Sequence, residues 1–281
     1  MPFSLLFRFS YRNFSNEISS SKFYNFVNST NFITDSNAHV EKREKLLEKE
    51  ICGKKFIIEK ADTKDIPLIT NFYSTYFNGN EVLTATLDMK KEEAMEIFSV
   101  ISENSETFFL RDGKKFVGMF SSEKHEMKKY PKEKLEMLKV NDFGKSLFFK
   151  LIDSGPFKFR TNNIIHVFLE ACETKIYDEM TFPCIFYYTI LGGMHPKYFA
   201  QNLGHLLSIT VLKSFKKEGA KYCIGVATSE ASLKLHLKLP GINIIDKVPY
   251  ERFFDHGRKP FENVLGENKF AYPFIIDLDK Y

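Results

Sequence analysis

The stretch Cys184-Ile185-Phe186-Tyr187-Tyr188-Thr189-Ile190-Leu191-Gly192-Gly193-Met194-His195-Pro196 runs through Lys197 to Gln201 into Leu203-Gly204-His205-Leu206-Leu207, with Val211, Leu212 and Phe215 beyond. Its first half is rich in aromatic and β-branched residues and ends in glycines, the pattern of a buried strand. The second half has the i, i+4, i+8 spacing of a helix face. A strand that ends in glycines and feeds a helix leaves backbone N–H groups at the positive end of the helix dipole, a seat for a phosphate. The junction therefore predicts an α/β chain with a phosphate-bearing ligand.

Toward the carboxyl end, Lys213, Lys216 and Lys217 followed by Gly219 have the chemistry of a helix end. Tyr222 to Ala227 reads as a buried strand. Thr228-Ser229 can cap a helix over Glu230 to Leu239, in which Glu230 and Lys234 are spaced for an i,i+4 pair. Ile242 to Val248 and Phe270 to Leu278 read as two further strands.

Toward the amino end, Phe56 to Ala61 is a strand candidate, and Asp62-Thr63-Lys64-Asp65 supplies caps for a helix through Ile66, Ile69, Phe72 and Tyr76. Lys91 to Ile101 and Asn163 to Tyr177 have helical spacing, and Phe148 to Ile152 reads as a helical turn ended by Gly155-Pro156. Thr107 to Arg111, Asp112-Gly113 and Lys115 to Phe120 form a hairpin signal, since Asp-Gly suits a turn with φ > 0.

Composition narrows the function. Across 281 residues, 40 basic and 36 acidic side chains give a formal charge of +4, too balanced for a nucleic-acid partner. The Lys-rich run from Lys124 to Lys139 is broken by Glu126, Glu133 and Glu136 and reads as a solvated helix or loop. Cys52, Cys172, Cys184 and Cys223 lack zinc-ligand spacing or a disulfide pattern, so no metal is expected. No apolar run approaches the ~18 residues of a membrane span.

Residues 1–34 carry Arg8, Arg12 and Lys22 against Glu17 and are crowded with Ser, Asn and Phe. Two readings stand, a disordered tail or a mitochondrial transit peptide with Arg12-Asn13-Phe14-Ser15 as its processing site. The expected location is the cytoplasm, or mitochondria in the second case. Residues 35–54, where Glu and Lys surround Leu46-Leu47, read as a charged helical linker, and residues 55–281 as a single domain.

The order of elements from Lys55 to Leu278 resembles the GNAT superfamily of N-acetyltransferases. Three local matches are similar to its arylalkylamine branch: Phe77-x-x-Asn80-Glu81-x-Leu83 in the place of the family's Glu-Pro-Leu segment, Ala227 to Ser232, and Val248-Pro249-Tyr250. Val82 stands where that branch carries proline. The resemblance implies a mixed, mostly antiparallel twisted sheet of about six to seven strands flanked by helices, with acetyl-CoA as cosubstrate. The superfamily's loop pattern, Arg/Gln-x-x-Gly-x-Gly/Ala, falls on Phe199, Ala200, Gln201, Asn202, Leu203 and Gly204. Asn202 replaces the first glycine, and asparagine tolerates left-handed backbone angles. A register two residues later begins at Gln201 and also keeps Gly204.

The implied reaction joins an acetyl group to a small primary amine, an arylalkylamine by the local matches, by direct transfer in a ternary complex. An amine near pKa ~10 must lose a proton before it attacks a thioester. The resemblance puts Glu81 at the base position, the alternative being a solvated carboxylate after the Asn78-Gly79-Asn80 turn. It implies the backbone N–H of Met194 as oxyanion donor. Thr228 and Ser232 fall on hydroxyls used near the reacting centre, with helix capping as the alternative, and His236 is the rival for protonating the CoA thiolate. His195 is expected to serve turn geometry and His205 to be packed or solvated. Lys197 and Lys234 are exposed lysines or contacts to the CoA 3′-phosphate. Phe72, Tyr73, Phe77 and Tyr187 line an amine pocket or pack the core. Two other functions remain, a protein-lysine, amino-terminal or glycine-type acyltransferase and a non-catalytic acyl-CoA-binding module. The chain is expected to be a monomer or homodimer.

Overall fold

The computed structural model describes residues 33–34, 42–139, 148–199, 201–264 and 266–281. The possible transit peptide therefore lies outside the described residues but for its last two positions.

Two hairpins build one side of the sheet. A hairpin joins β3 (Glu106–Asp112) to β4 (Lys115–Met127) as the sequence predicts, but its turn is Gly113-Lys114, with Gly113 at φ +58°, because Asp112 still pairs with Lys115 as the last residue of β3. A second turn, Cys52-Gly53 at φ +50° and +71°, joins β1 (Glu44–Ile51) to β2 (Lys54–Lys60). Consecutive left-handed residues match the twist of paired strands. The charged linker expected to be helical is thus a strand where the structure describes it. A bulge at Leu46, between the pairs Lys45 with Glu59 and Leu47 with Ile58, breaks the alternation that marks a strand in sequence. Leu46, Leu47 and Ile51 reach the core, while Arg43 is held on Asp65 by two hydrogen bonds of 2.7 and 2.8 Å.

The strand β4 also runs further than the sequence implies. Lys124 to Met127, expected in a solvated helix or loop, pair with Cys184 to Tyr187 of β5 (Cys184–Met194). A helix, α4 (Lys132–Lys139), begins five residues later.

β6 (Tyr222–Ala227), β7 (Ile242–Ile244), β8 (Val248–Pro249) and β9 (Phe270–Asp277) complete a nine-stranded sheet in the order β1-β2-β3-β4-β5-β6-β9-β7, with β8 on β9. All pairings are antiparallel except β5 with β6. The count exceeds six to seven because β1 joins the sheet and the expected strand Ile242 to Val248 divides into β7 and β8.

Helices cover both faces. α7 (Leu203–Lys217) lays Leu207, Val211, Leu212 and Phe215 on one face, against Ile58, Phe108, Val117, Tyr187 and Cys223. Phe215 stacks on Tyr187 at 3.7 Å, a contact worth about 1 kcal/mol beyond the area it buries. The helix ends as its lysines predict, at Gly219 with φ +83°.

The other face carries α1 (Ile66–Phe72), which continues as a π-helical turn over Tyr73–Phe77, and then α2 (Val82–Thr86) and α3 (Lys91–Asn104). α5 (Phe148–Asp153) and α6 (Arg160–Glu173) follow. Tyr73, fully buried, bonds Ser121 of β4 at 2.8 Å and ties the π-helical turn to the sheet. α8 (Glu230–His236) follows β6, with Ser229 capping it by accepting from the Ser232 amide.

Candidate active site

The site begins with one surplus residue. Ser121 pairs with Leu191 and Ser122 with Thr189, so Ile190 is a bulge in β5. Bulges bend a strand and end pairing on its far edge. Pairing of β5 with β6 covers Phe186 to Thr189 and stops there, so the two parallel strands diverge at their carboxyl ends. The His195 amide donates to Val117 at 2.8 Å. Successive amides alternate in direction, so that of Met194 points away from β4 and into the divergence.

Glycines shape both walls. A Cβ on Gly118 would lie 2.4 Å from the Met194 sulfur, so the bare backbone leaves that side chain its place. On the opposite face, a Cβ on Gly193 would touch Phe72 and Phe77 at 3.6 Å and Tyr73 at 3.8 Å. Three of the four expected pocket aromatics thus meet the strand one residue before Met194. Tyr187 is not among them, because strand alternation turns it to the α7 face, where it stacks on Phe215 and donates to Glu218 at 2.5 Å.

The junction into α7 follows. His195 caps the short turn Pro196–Tyr198 by accepting the Lys197 amide at 3.1 Å, and burial lowers its pKa, with Lys197 adding to the effect. Asn202 adopts φ +56°, ψ 12°, immediately before Leu203 begins the helix. The position requiring left-handed backbone is therefore Asn202, which favours the register beginning at Phe199 over the one beginning at Gln201. The Asn202 side chain does not cap the helix, so the first-turn amides of Leu203 and Gly204 stay available to an anion. Gly204 packs near Met194 and Leu235. Phe199 is 58% exposed, and Ala200 lies outside the described residues. Lys197 and Lys234 are both exposed.

Across the divergence, β6 ends at Ala227, and Thr228 occupies the two-residue junction into α8. Its hydroxyl donates to Glu81 Oε1 at 2.7 Å. Glu81 is the cap of α2: Oε2 accepts the amides of Leu83 and Thr84, each at 2.9 Å. Burial raises the Glu81 pKa, and the hydrogen bonds from Thr84, Thr228 and Leu83 offset part of that rise. Tyr250, which the sequence places in the Val248-Pro249-Tyr250 match without a role, also reaches this junction. Its motif is legible, but its place is not: the buried hydroxyl donates to the Thr228 carbonyl at 2.6 Å.

Ser232 and His236 form a second pair one turn along α8. His236 Nδ1 donates to the Ser232 carbonyl at 2.8 Å and lies 3.4 Å from Ser232 Oγ. Burial lowers the His236 pKa, so the ring is neutral near pH 7 with its one N–H committed to that carbonyl. His205 belongs to the first turn of α7 and has a buried Nδ1. Among the described residues no cluster of three His, Cys, Asp or Glu side chains is placed to hold a metal, the four cysteines are free, and no helix is long and apolar enough to cross a membrane.

A parallel pair inside an otherwise antiparallel sheet, with a helix N-terminus beside it, is the fold that the resemblance to N-acetyltransferases implies. Solved structures agree. A mosquito arylalkylamine N-acetyltransferase-like 5b superposes with a TM-score of 0.61 at 18% identity, over 78% of this chain and 98% of its own. The Drosophila melanogaster polyamine N-acetyltransferase, which forms N-acetylagmatine, superposes with 0.59 at 14% identity, over 79% and 99%. Arylalkylamine N-acetyltransferase 2 from Aedes aegypti superposes with 0.62 at 10% identity, over 79% and 99%. No family model matches the sequence, and neither does any curated protein.

Proposed function

We propose that this chain is an acyltransferase that moves an acetyl group from acetyl-CoA to a small primary amine. The observation that carries the reading is the hydrogen bond between Thr228 and Glu81, which sets a carboxylate of raised pKa beside the diverging ends of β5 and β6. The anion seat at Asn202 to Gly204 receives the CoA pyrophosphate. Glu81 takes the ammonium proton, directly or through one water. The neutral amine then attacks the thioester carbonyl, and the Met194 amide donates to the oxyanion. As the intermediate collapses, the C–S bond breaks, and the proton left on the attacking nitrogen passes through the Ser232 hydroxyl to the departing thiolate, giving the amide and free CoA. His236, neutral with its N–H committed, orients Ser232 rather than acting as the acid.

The aromatic wall at Gly193 supports an apolar amine of the arylalkylamine kind, the substrate class named for two of the structural neighbours. The N-acetylagmatine former sets the competing class. The exposed, uncharged Phe199 favours a second reading, an acyl-CoA-binding module without turnover. Thiol release from acetyl-CoA with dopamine, agmatine, glycine and a lysine peptide separates these. Turnover with dopamine supports the first reading. CoA binding with no thiol release from any acceptor supports the second, and absence of CoA binding overturns both.

A further inference from the structure

Thr228 stands where the strand ladder has stopped and the helix has not begun. Its predecessor, Ala227, is the last residue of β6 paired with β9, opposite Tyr272, and its successor, Ser229, is the cap of α8. Neither element fixes the Thr228 carbonyl, and a buried carbonyl without a partner is costly. Tyr250 supplies the partner at 2.6 Å from the turn that follows β8.

The tyrosine is itself immobilised. Its ring is 1% exposed, stacks on Phe168 of α6 at 5.3 Å and 28°, and packs against Phe261 at 5.8 Å. A ring held between a helix and a loop places its hydroxyl with little rotational freedom. The chain of contacts Phe168, Tyr250, Thr228, Glu81 therefore links α6, the turn after β8, the end of β6 and the cap of α2.

We infer that Tyr250 is a positioning residue: its bond to the Thr228 carbonyl orients the Thr228 hydroxyl on the Glu81 carboxylate and so sets the basicity of Glu81. The inference rests on the reading of Glu81 as the base. Around Glu81 stand the Leu83 and Thr84 amides of its own helix and the Thr228 hydroxyl from the β6 to α8 junction. Tyr250 itself is acted on by Glu81, by Cys172 of α6 and by Tyr272 of β9, whose hydroxyl bonds Glu230. Without the tyrosine hydroxyl, Thr228 loses its fixed orientation and Glu81 loses an ordered donor to its ionised form, which raises its pKa further.

The test titrates Glu81 directly. Full-length protein labelled with glutamate carrying ¹³C at the carboxyl is followed by NMR against pH, and the Glu81 signal is identified by its loss in Glu81→Gln. Tyr250→Phe, which keeps the ring and its stacking, should move the Glu81 midpoint up by about 0.5 to 1 pH unit, the size expected from one weakened hydrogen bond. Phe168→Leu alters the packing and keeps the hydroxyl, so it should lower the melting temperature and leave the midpoint in place. Site-specific 3-fluorotyrosine at position 250, a stronger donor of nearly the same shape, should move the midpoint down, and it reads the effect even where Tyr250→Phe does not fold. An unmoved midpoint with the fluorinated residue, or an equal shift in Phe168→Leu, overturns the inference. With acetyl-CoA and dopamine, the acid limb of kcat/KM should move with the midpoint while KM for acetyl-CoA holds. A moving midpoint in a protein that releases no thiol with any of the four acceptors overturns the proposed function and leaves the coupling standing.

Discussion

The Thr228 hydroxyl donates to the Glu81 carboxylate at 2.7 Å across 147 residues of sequence. One partner caps a five-residue helix near the start of the domain, and the other ends a central strand. A carboxylate that only capped α2 would gain nothing from this distant hydroxyl. The contact ties the cap of α2 to the carboxyl end of β6.

Replacing that carboxylate tests its role. Glu81→Gln keeps size and hydrogen-bonding capacity but cannot take a proton, so kcat/KM for the amine should fall by about 100-fold or more. KM for acetyl-CoA should stay unchanged. Steady-state thiol release at saturating and limiting amine separates the two, and full activity in the variant would remove Glu81 from the mechanism.

The raised pKa of Glu81 fixes two pH dependences with opposite signs. Activity needs the ionised form, so kcat/KM should rise with pH through a midpoint above the ordinary carboxylate range. For stability, the folded chain binds this proton more tightly than the unfolded chain. The Glu81 contribution is then complete below the unfolded pKa and lost as pH rises through the folded one. The stability of the natural protein relative to Glu81→Gln should therefore decline as pH rises, read by urea denaturation at several pH values.

At Asn202 the backbone is left-handed, φ +56°. Asn202→Gly should preserve or slightly improve stability and acetyl-CoA binding. Asn202→Val, whose branched side chain resists that conformation, should cost about 1 to 2 kcal/mol and raise KM for acetyl-CoA. Calorimetric titration with CoA checks the order glycine, asparagine, valine.

Phe199 is the exposed first residue of the same loop. Phe199→Arg adds a charge-assisted donor there and should tighten CoA binding by about 1 kcal/mol, roughly fivefold in Kd. The gain should shrink as salt is added, because an exposed charge is screened. An unchanged Kd at low salt would place the pyrophosphate elsewhere.

Far from this loop, Gly241 has φ +69°, and a Cβ there would lie 2.5 Å from the Asp277 carbonyl oxygen. Backbone cannot retreat as a side-chain tip can. Gly241→Ala should lose about 2 kcal/mol or more of stability while kcat per folded molecule holds, measured by denaturation and by assay below the transition.

The sequence carries the fold in some places and hides it in others for identifiable reasons. The hairpin that Asp112-Gly113 signals and the Lys217 to Gly219 helix end are local chemistry and both form, the hairpin with its turn one residue later, at Gly113-Lys114. β1 is hidden because the bulge at Leu46 erases its alternation and its outer residues are charged. The tolerance of Asn202 for left-handed angles is legible from its side chain alone, and so is the cap at Ser229. The contact between Glu81 and Thr228 is not, since each residue has a sufficient local explanation as a helix cap. Tyr187 and Tyr188 are neighbours in sequence on opposite faces, and only the strand's register decides which one faces α7.

Ile190 decides more than a bend. Side chains in a strand alternate, so a single surplus residue reverses the parity of everything after it. Deleting Ile190 would pair β4 and β5 one to one with Gly193 still opposite Met119 and Met194 still opposite Gly118, so what would be lost is the surplus beside which pairing of β5 with β6 stops at Thr189. The parallel ladder could then run on past Thr189 and close the divergence beside the Met194 amide. Substitutions at Ile190 leave that count intact whatever side chain they bring, so the position should tolerate changes of identity and reject a change of length.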